Sequence, residues 1–140
     1  MTAKQWLNRG YRINEEINEL MREQKQALLQ ATSTALGGGE KVQSSNGNTV
    51  ERRFVNYAAY SETIDMWIDE LYSIKREIVL EIRKVDDFRL RRLLFLRYIK
   101  FYTWDMIAQK MNYDIRYIHK LHNCALKKIK KRALNDTLYL

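Results

Sequence analysis

The 140-residue chain has no proline, five glycines and a single cysteine. Four of the glycines fall between positions 37 and 47 and the fifth is Gly10, so neither breaker occurs from Asn48 to Leu140. Such a stretch predicts an all-α protein. The lone Cys124 has no internal partner, which excludes an internal disulfide framework and points to a reducing, cytoplasmic setting. No apolar run is long enough to cross a bilayer. The opening segment MTAKQWLNRGYRINEE lacks an apolar signal core and carries acids early, so no targeting segment and no membrane partner are expected.

The last part of the chain is also short of acids. Residues 1–85 hold 12 Lys/Arg and 12 Asp/Glu, which cancel, whereas residues 86–140 hold 13 Lys/Arg and 5 Asp. The net charge of +8 therefore resides entirely in the second stretch. A solvated, solubilising surface would explain some of this charge. A concentrated cationic surface is also what binds the phosphates of a polyanion.

Apolar or small residues recur three and four apart at Trp6, Gly10, Ile13, Ile17, Leu20, Ala27 and Ala31, with Gln24 in the one polar slot and Met21 and Leu28 beside the seam. This rhythm predicts a helix over 4–35, weakened near Gly10. Residues 32–49, with three consecutive glycines and a Ser/Asn/Gly cluster, read as a flexible loop. A second long helix is predicted over 50–85 from Ile64, Ile68, Leu71, Ile78, Ile82 and Val85, with Lys75 in one slot and Ile74 beside it. The expected architecture of 1–85 is a helical hairpin, coiled-coil-like, whose thin core needs a third surface: the rest of the chain or a second copy of it. Residues 86–140 would form the second domain. Asp86 and Asp87 suit the first turn of a helix over about 87–101, burying Leu90, Leu93, Leu94, Leu96 and Phe101.

The most informative segment is 103–132. Thr103 is a good N-cap for TWDMIAQKM, in which Ile107 and Met111 share a face and small Ala108 sits beside them. Asn112 tolerates the left-handed backbone of a sharp turn, Tyr113 is a candidate turn anchor, and Asp114 suits the start of the next helix. Two short helices crossing steeply need a small residue at the close approach and apolar ones around it, here Ala108 with Ile107, Met111, Tyr113, Ile118 and Leu121. This pattern predicts a helix-turn-helix. At about 100° per residue, Ile118, Leu121, His122, Ala125 and Ile129 cluster on one side of the second helix. Arg116, Lys120, Asn123 and Lys127 fall opposite, with His119 and Lys130 at a margin. Such a face suits the major groove: Arg and Lys match guanine edges and phosphates, and Asn matches adenine. Residues near the helix start, Arg116 and Lys120 first and then His119 and Asn123, are the candidate base readers. Thr103, Arg97, Lys100, Lys127, Lys128, Lys131 and Arg132 are the candidate phosphate contacts, as are Arg89 and Arg92.

The segment FRLRRLLFLRYIKFYTWDMIAQKMNYDIRYIHKLHNCALKKIKK resembles region 4 of sigma-70 family factors, through Leu96-Arg97-Tyr98, the Ile107-Ala108 pair, and Ile118 through Leu126 to Ile129. With the preceding helices and the Gly-rich loop, the chain resembles phage-encoded activators of the ArpU and RinA type. That resemblance implies a sigma-region-4-like helix-turn-helix whose second helix enters the major groove of promoter DNA. It also implies a role as a late-gene activator working with host RNA polymerase in a bacterial cytoplasm. By position it adds Ile115 to Arg116, His119 and Lys120 as base-facing residues. Nothing resembles the promoter-opening sigma region 2, so an activator is implied and not a whole sigma factor.

Other chemistry is poorly supported. His119 and Cys124 point about 140° apart on one helix, and His122 and Cys124 about 160° apart, so no zinc site is expected. Gly37-Gly38-Gly39 lacks the strand, helix and lysine of a phosphate loop. The carboxylates of 1–85 are interleaved with Lys and Arg as on solvated faces. Trp67, Phe95 and Phe101 are expected in cores. The expectation is a transcriptional regulator with no enzymatic activity and no cofactor, partnered by double-stranded DNA and possessing helices suited to homodimerisation. The alternative is a small phage terminase subunit for DNA packaging, which also joins a helix-turn-helix to oligomerising helices.

Overall fold

The computed structural model describes residues 1–36 and 45–138, with side chains for 1–32 and 49–129. Among the described residues it is all-helical, with six helices and no strand. They are α1 (Ala3–Leu7), α2 (Arg9–Leu36), α3 (Ser45–Arg83), α4 (Phe88–Tyr98), α5 (Trp104–Met111) and α6 (Ile115–Leu138). No helix among the described residues is long and apolar enough to cross a membrane.

Expected boundaries shift in the first two long helices. The first helix is interrupted at Asn8, which closes α1 with its N–H donating to the Lys4 carbonyl before α2 begins, two residues ahead of Gly10. Thr2 caps α1 through a reciprocal pair of bonds with Gln5. The expected loop over 32–49 is also shorter, since α2 runs to Leu36 and α3 starts at Ser45. The Thr32 hydroxyl stays inside the helix by donating to the Leu28 carbonyl, so the polar residue does not end it. Positions 37–44 of that loop lie outside the described residues.

The chain forms two compact units: Met1–Arg12 with Leu71–Leu140, and Ile13–Glu70. In the Ile13–Glu70 unit, Ile17, Ala31 and Ile64 are buried. Gln24 fills its polar slot by donating to Ser61 and to the Tyr57 carbonyl, and Arg53 donates to the Gln30 carbonyl. The paired numbers run in opposite senses, so these two stretches of α2 and α3 are antiparallel. Met21, expected at the edge of the seam, is 48% exposed.

The other unit holds the main core. Leu7 of α1 and Ile78, Ile82 and Val85 join Leu90, Leu93, Leu94, Leu96 and Tyr98 of α4, Ile107 of α5, and Ile118, Leu121, Ala125 and Ile129 of α6. Asp87 starts α4 as its N-cap, accepting from the Arg89 N–H, so it sits just before the first turn instead of within it. α4 ends at Tyr98, short of 101, because the chain turns back: the Lys100 N–H bonds to the Phe95 carbonyl and the Tyr102 N–H to the Leu96 carbonyl. The second closure, which spans seven residues, encloses Phe101 at φ 60°, a left-handed position that a bulky residue seldom takes. Its ring is held in place by Gly10, by the edge of Tyr11 and by the Lys75 ammonium, 4.8 Å from the ring centre. Phe95 does not join the core and is 38% exposed. It lies about 140° from Leu90 around α4, and the core side is already filled by leucines.

Candidate nucleic-acid interface

The site is built where α5 meets α6. The Thr103 hydroxyl accepts the Met106 N–H and fixes the start of α5. Asn112 ends it at φ 62°, ψ 41°, its N–H directed at the Ala108 and Gln109 carbonyls, and the Tyr113 N–H also reaches Ala108. Only Asn112, Tyr113 and Asp114 separate the two helices. The Asp114 carbonyl then accepts the Ile118 N–H, the first helical bond of α6. Ile107, Ile118 and Leu121 are buried, Ala108 and Met111 half-buried. Tyr113 does not anchor the turn from inside: it is 36% exposed and meets Tyr117 edge to face, because the left-handed step at Asn112 turns it outward.

α6 has two unlike sides. Ile118, Leu121, His122, Ala125 and Ile129 are buried, while Ile115, Arg116, His119, Lys120, Asn123, Cys124, Lys127 and Lys128 are exposed. The exposed side carries four cations and no acid between Ile115 and Ile129. Among the described residues, Arg116, Lys120, Asn123, Lys127 and Lys128 make no side-chain hydrogen bond or ion pair. Lys131 and Arg132 lie outside the residues whose side chains are described, as does Lys130.

The remaining candidates are more committed. Arg97 is half-buried, donates to the Tyr102 carbonyl at 2.9 Å and stacks over Trp104 at 4.3 Å. Trp104 in turn meets the His119 ring at 4.8 Å and the His122 ring at 4.7 Å. This places Arg97, Trp104 and His119 side by side at the edge of the cationic face, with Trp104 locking the start of α5 against α6. Lys100 is exposed, and Thr103 is exposed while capping. Arg89 is exposed but engaged, donating to the Tyr117 hydroxyl at 2.7 Å and pairing with Asp87 at 3.2 Å. The Arg89 bonds hold the Asp87 carboxyl below its ordinary range.

Beneath this face lies a buried polar pair. His122 is 5% exposed and its Nε2 lies 2.6 Å from the Tyr98 hydroxyl, itself 1% exposed. Burial pushes the His122 pKa down to about 4, helped by the nearby charges of Lys4 and Arg97, and pushes the Tyr98 pKa up to about 12. Both are therefore neutral near pH 7, and one proton is shared in the bond between the tyrosine hydroxyl and Nε2. The bond satisfies two buried polar atoms and ties the end of α4 to α6. Helical phase placed His122 on the buried side. Its partner, 24 residues away on another helix, leaves no local signal.

Among the described residues, no cluster of three or more His, Cys, Asp or Glu could hold a metal ion. No family model, curated protein or solved structure matches the chain.

Proposed function

We propose that residues 103–132 form a helix-turn-helix that binds double-stranded DNA, and that the protein is a sequence-specific transcriptional regulator. In this reading residues 1–85 are a helical hairpin arm and residues 86–140 the DNA-binding domain. The observation that carries it is the asymmetry of α6: one side is buried by Ile118, Leu121, Ala125 and Ile129, and the other exposes unpaired Arg116, Lys120, Asn123, Lys127 and Lys128 with no carboxylate among them. A helix supported along one side and cationic along the other fits a major groove, whose base edges and flanking phosphates both call for donors. Arg116, Lys120, Asn123 and His119 read bases, with Ile115 in position for apolar contact with a thymine methyl. Lys127 and Lys128 contact phosphates, joined by Lys131 and Arg132.

The resemblance to phage activators of the ArpU and RinA type extends the proposal to late-gene activation in a bacterial host, with the N-terminal arm available for self-association or contact with RNA polymerase. The test is selection of duplexes from a random-sequence pool by the full-length protein, followed by fluorescence anisotropy on the selected site. A single preferred motif, lost or relaxed in Arg116→Ala and Lys120→Ala at about 1–3 kcal/mol each, supports the proposal. Recovery of no motif, or unchanged preference in both variants, removes it.

A further inference from the structure

The last three turns of α3, within the unit that holds Leu71–Leu140, carry a shallow groove that the reading above leaves unused. Tyr72, Lys75, Arg76, Val79 and Leu80 line it. At about 100° per residue all five fall on one side of the helix, with Lys75 at one margin, Leu80 at the other and Arg76 between Tyr72 and Leu80. Tyr72 is 59% exposed and Leu80 61%, so the groove offers apolar surface to a partner.

Its charge has one sign. The carboxylates of α3 beyond Leu71 are Glu77 and Glu81, and both are taken: Glu77 pairs with Arg9 at 2.7 Å and Glu81 with Lys84 at 2.8 Å. Neither Lys75 nor Arg76 has an ion pair among the described residues. The Lys75 ammonium is held between two rings, 4.8 Å from the centre of Phe101 and 5.8 Å from that of Tyr72. Burial and the nearby charge of Lys100 push its pKa below the ordinary value, and an arriving carboxylate would offset both effects.

We infer that this groove docks an acidic amphipathic helix of another protein, its apolar residues on Tyr72, Val79 and Leu80 and its carboxylates on Lys75 and Arg76. From Tyr72 to Leu80 the groove runs about 12 Å, a little over two helical turns. It thus fits apolar residues three or four and then seven apart, flanked by Asp or Glu. A second copy meeting the same groove about a two-fold axis would set unpaired cations against unpaired cations, which opposes self-pairing. Nucleic acid would satisfy the cations but leave Tyr72, Val79 and Leu80 without an apolar partner. The inference does not depend on DNA binding by α6.

The test is selection from a displayed library of randomised 16-residue helical peptides by the nucleic-acid-free, full-length protein. Fluorescence anisotropy then measures the binding of one synthesised winner. The enriched peptides carry the apolar spacing above with Asp or Glu beside it, and their binding weakens as salt is raised. Arg76→Glu and Leu80→Ser, both at exposed positions, each weaken the winner by about tenfold or more. A winner with Lys in place of its Asp and Glu binds Arg76→Glu more tightly than it binds the wild type, which also shows that the variant is folded. Failure to enrich acidic helices overturns the inference, as does an affinity unchanged in both variants. Self-association of the protein that Leu80→Ser abolishes would overturn it in favour of a second copy. Duplex affinity that falls in Leu80→Ser as far as peptide affinity does would overturn it in favour of nucleic acid.

Discussion

The Tyr98–His122 pair makes the stability of the α4–α6 junction depend on pH in a defined direction. In the unfolded chain the imidazole titrates at its ordinary value of 6.5, and in the folded protein at about 4. Above 6.5 the ring is neutral in both states and contributes no pH dependence. Between 6.5 and about 4 the unfolded chain takes up a proton that the folded protein refuses, so stability falls as pH falls. Integrating over that window gives a loss of about 2 kcal/mol by pH ~5, which corresponds to roughly 6–10 °C in Tm. Most carboxylates have yet to protonate at that pH. The reference is the double variant Tyr98→Phe/His122→Leu, which removes the titrating group and its partner together and leaves no buried polar atom stranded. Thermal unfolding followed at 222 nm, between pH ~7.5 and ~5, should show the wild type losing about 2 kcal/mol more than the double variant. Equal losses in the two proteins, or a His122 ring titrating near 6.5 by NMR, would refute the reasoning.

Three further outcomes follow from the packing and the charge. Asn112→Ala should destabilise by about 1 kcal/mol because alanine resists a φ of 62°, while Asn112→Gly should be neutral or slightly stabilising, both read as shifts in the urea midpoint. Ile107→Ala, at a fully buried position in the α5 contribution to the core, should cost about 2–5 kcal/mol by the same measurement. Lys127→Ala should weaken binding to all duplexes alike and lower the slope of log affinity against log salt by about 1, with stability unchanged; a loss confined to one sequence would reassign Lys127 to base reading.

Much of the local structure could be read from residue types because its causes are local. Thr103 and Asn112 bracket α5 through their own side chain and backbone preferences, and the phase of Ile118, Leu121 and Ile129 fixes which side of α6 is buried. The charge step after residue 85 marked the stretch that holds the cationic face. What could not be read depends on contacts distant in sequence. Leu7 joins Leu93 and Ile118 in one core, although its own segment offers only a short amphipathic turn. Phe101 adopts a left-handed backbone that its own preference opposes, because Gly10, Tyr11 and Lys75 hold its ring. The Arg97–Trp104–His119 arrangement joins three helices across two turns, so no periodicity announces it. Phe95 was expected inside on hydrophobicity alone, whereas helical phase, applied to α4 as it was to α6, places it outside.

The most direct test of DNA binding by α6 is a titration of isotope-labelled protein with a selected duplex, followed residue by residue by NMR. The account predicts that the largest amide perturbations fall on Arg116, His119, Lys120, Asn123 and Lys127, while buried neighbours such as Ala125 shift little. Absence of binding to any duplex at low salt, or perturbations that leave α6 untouched, would contradict it.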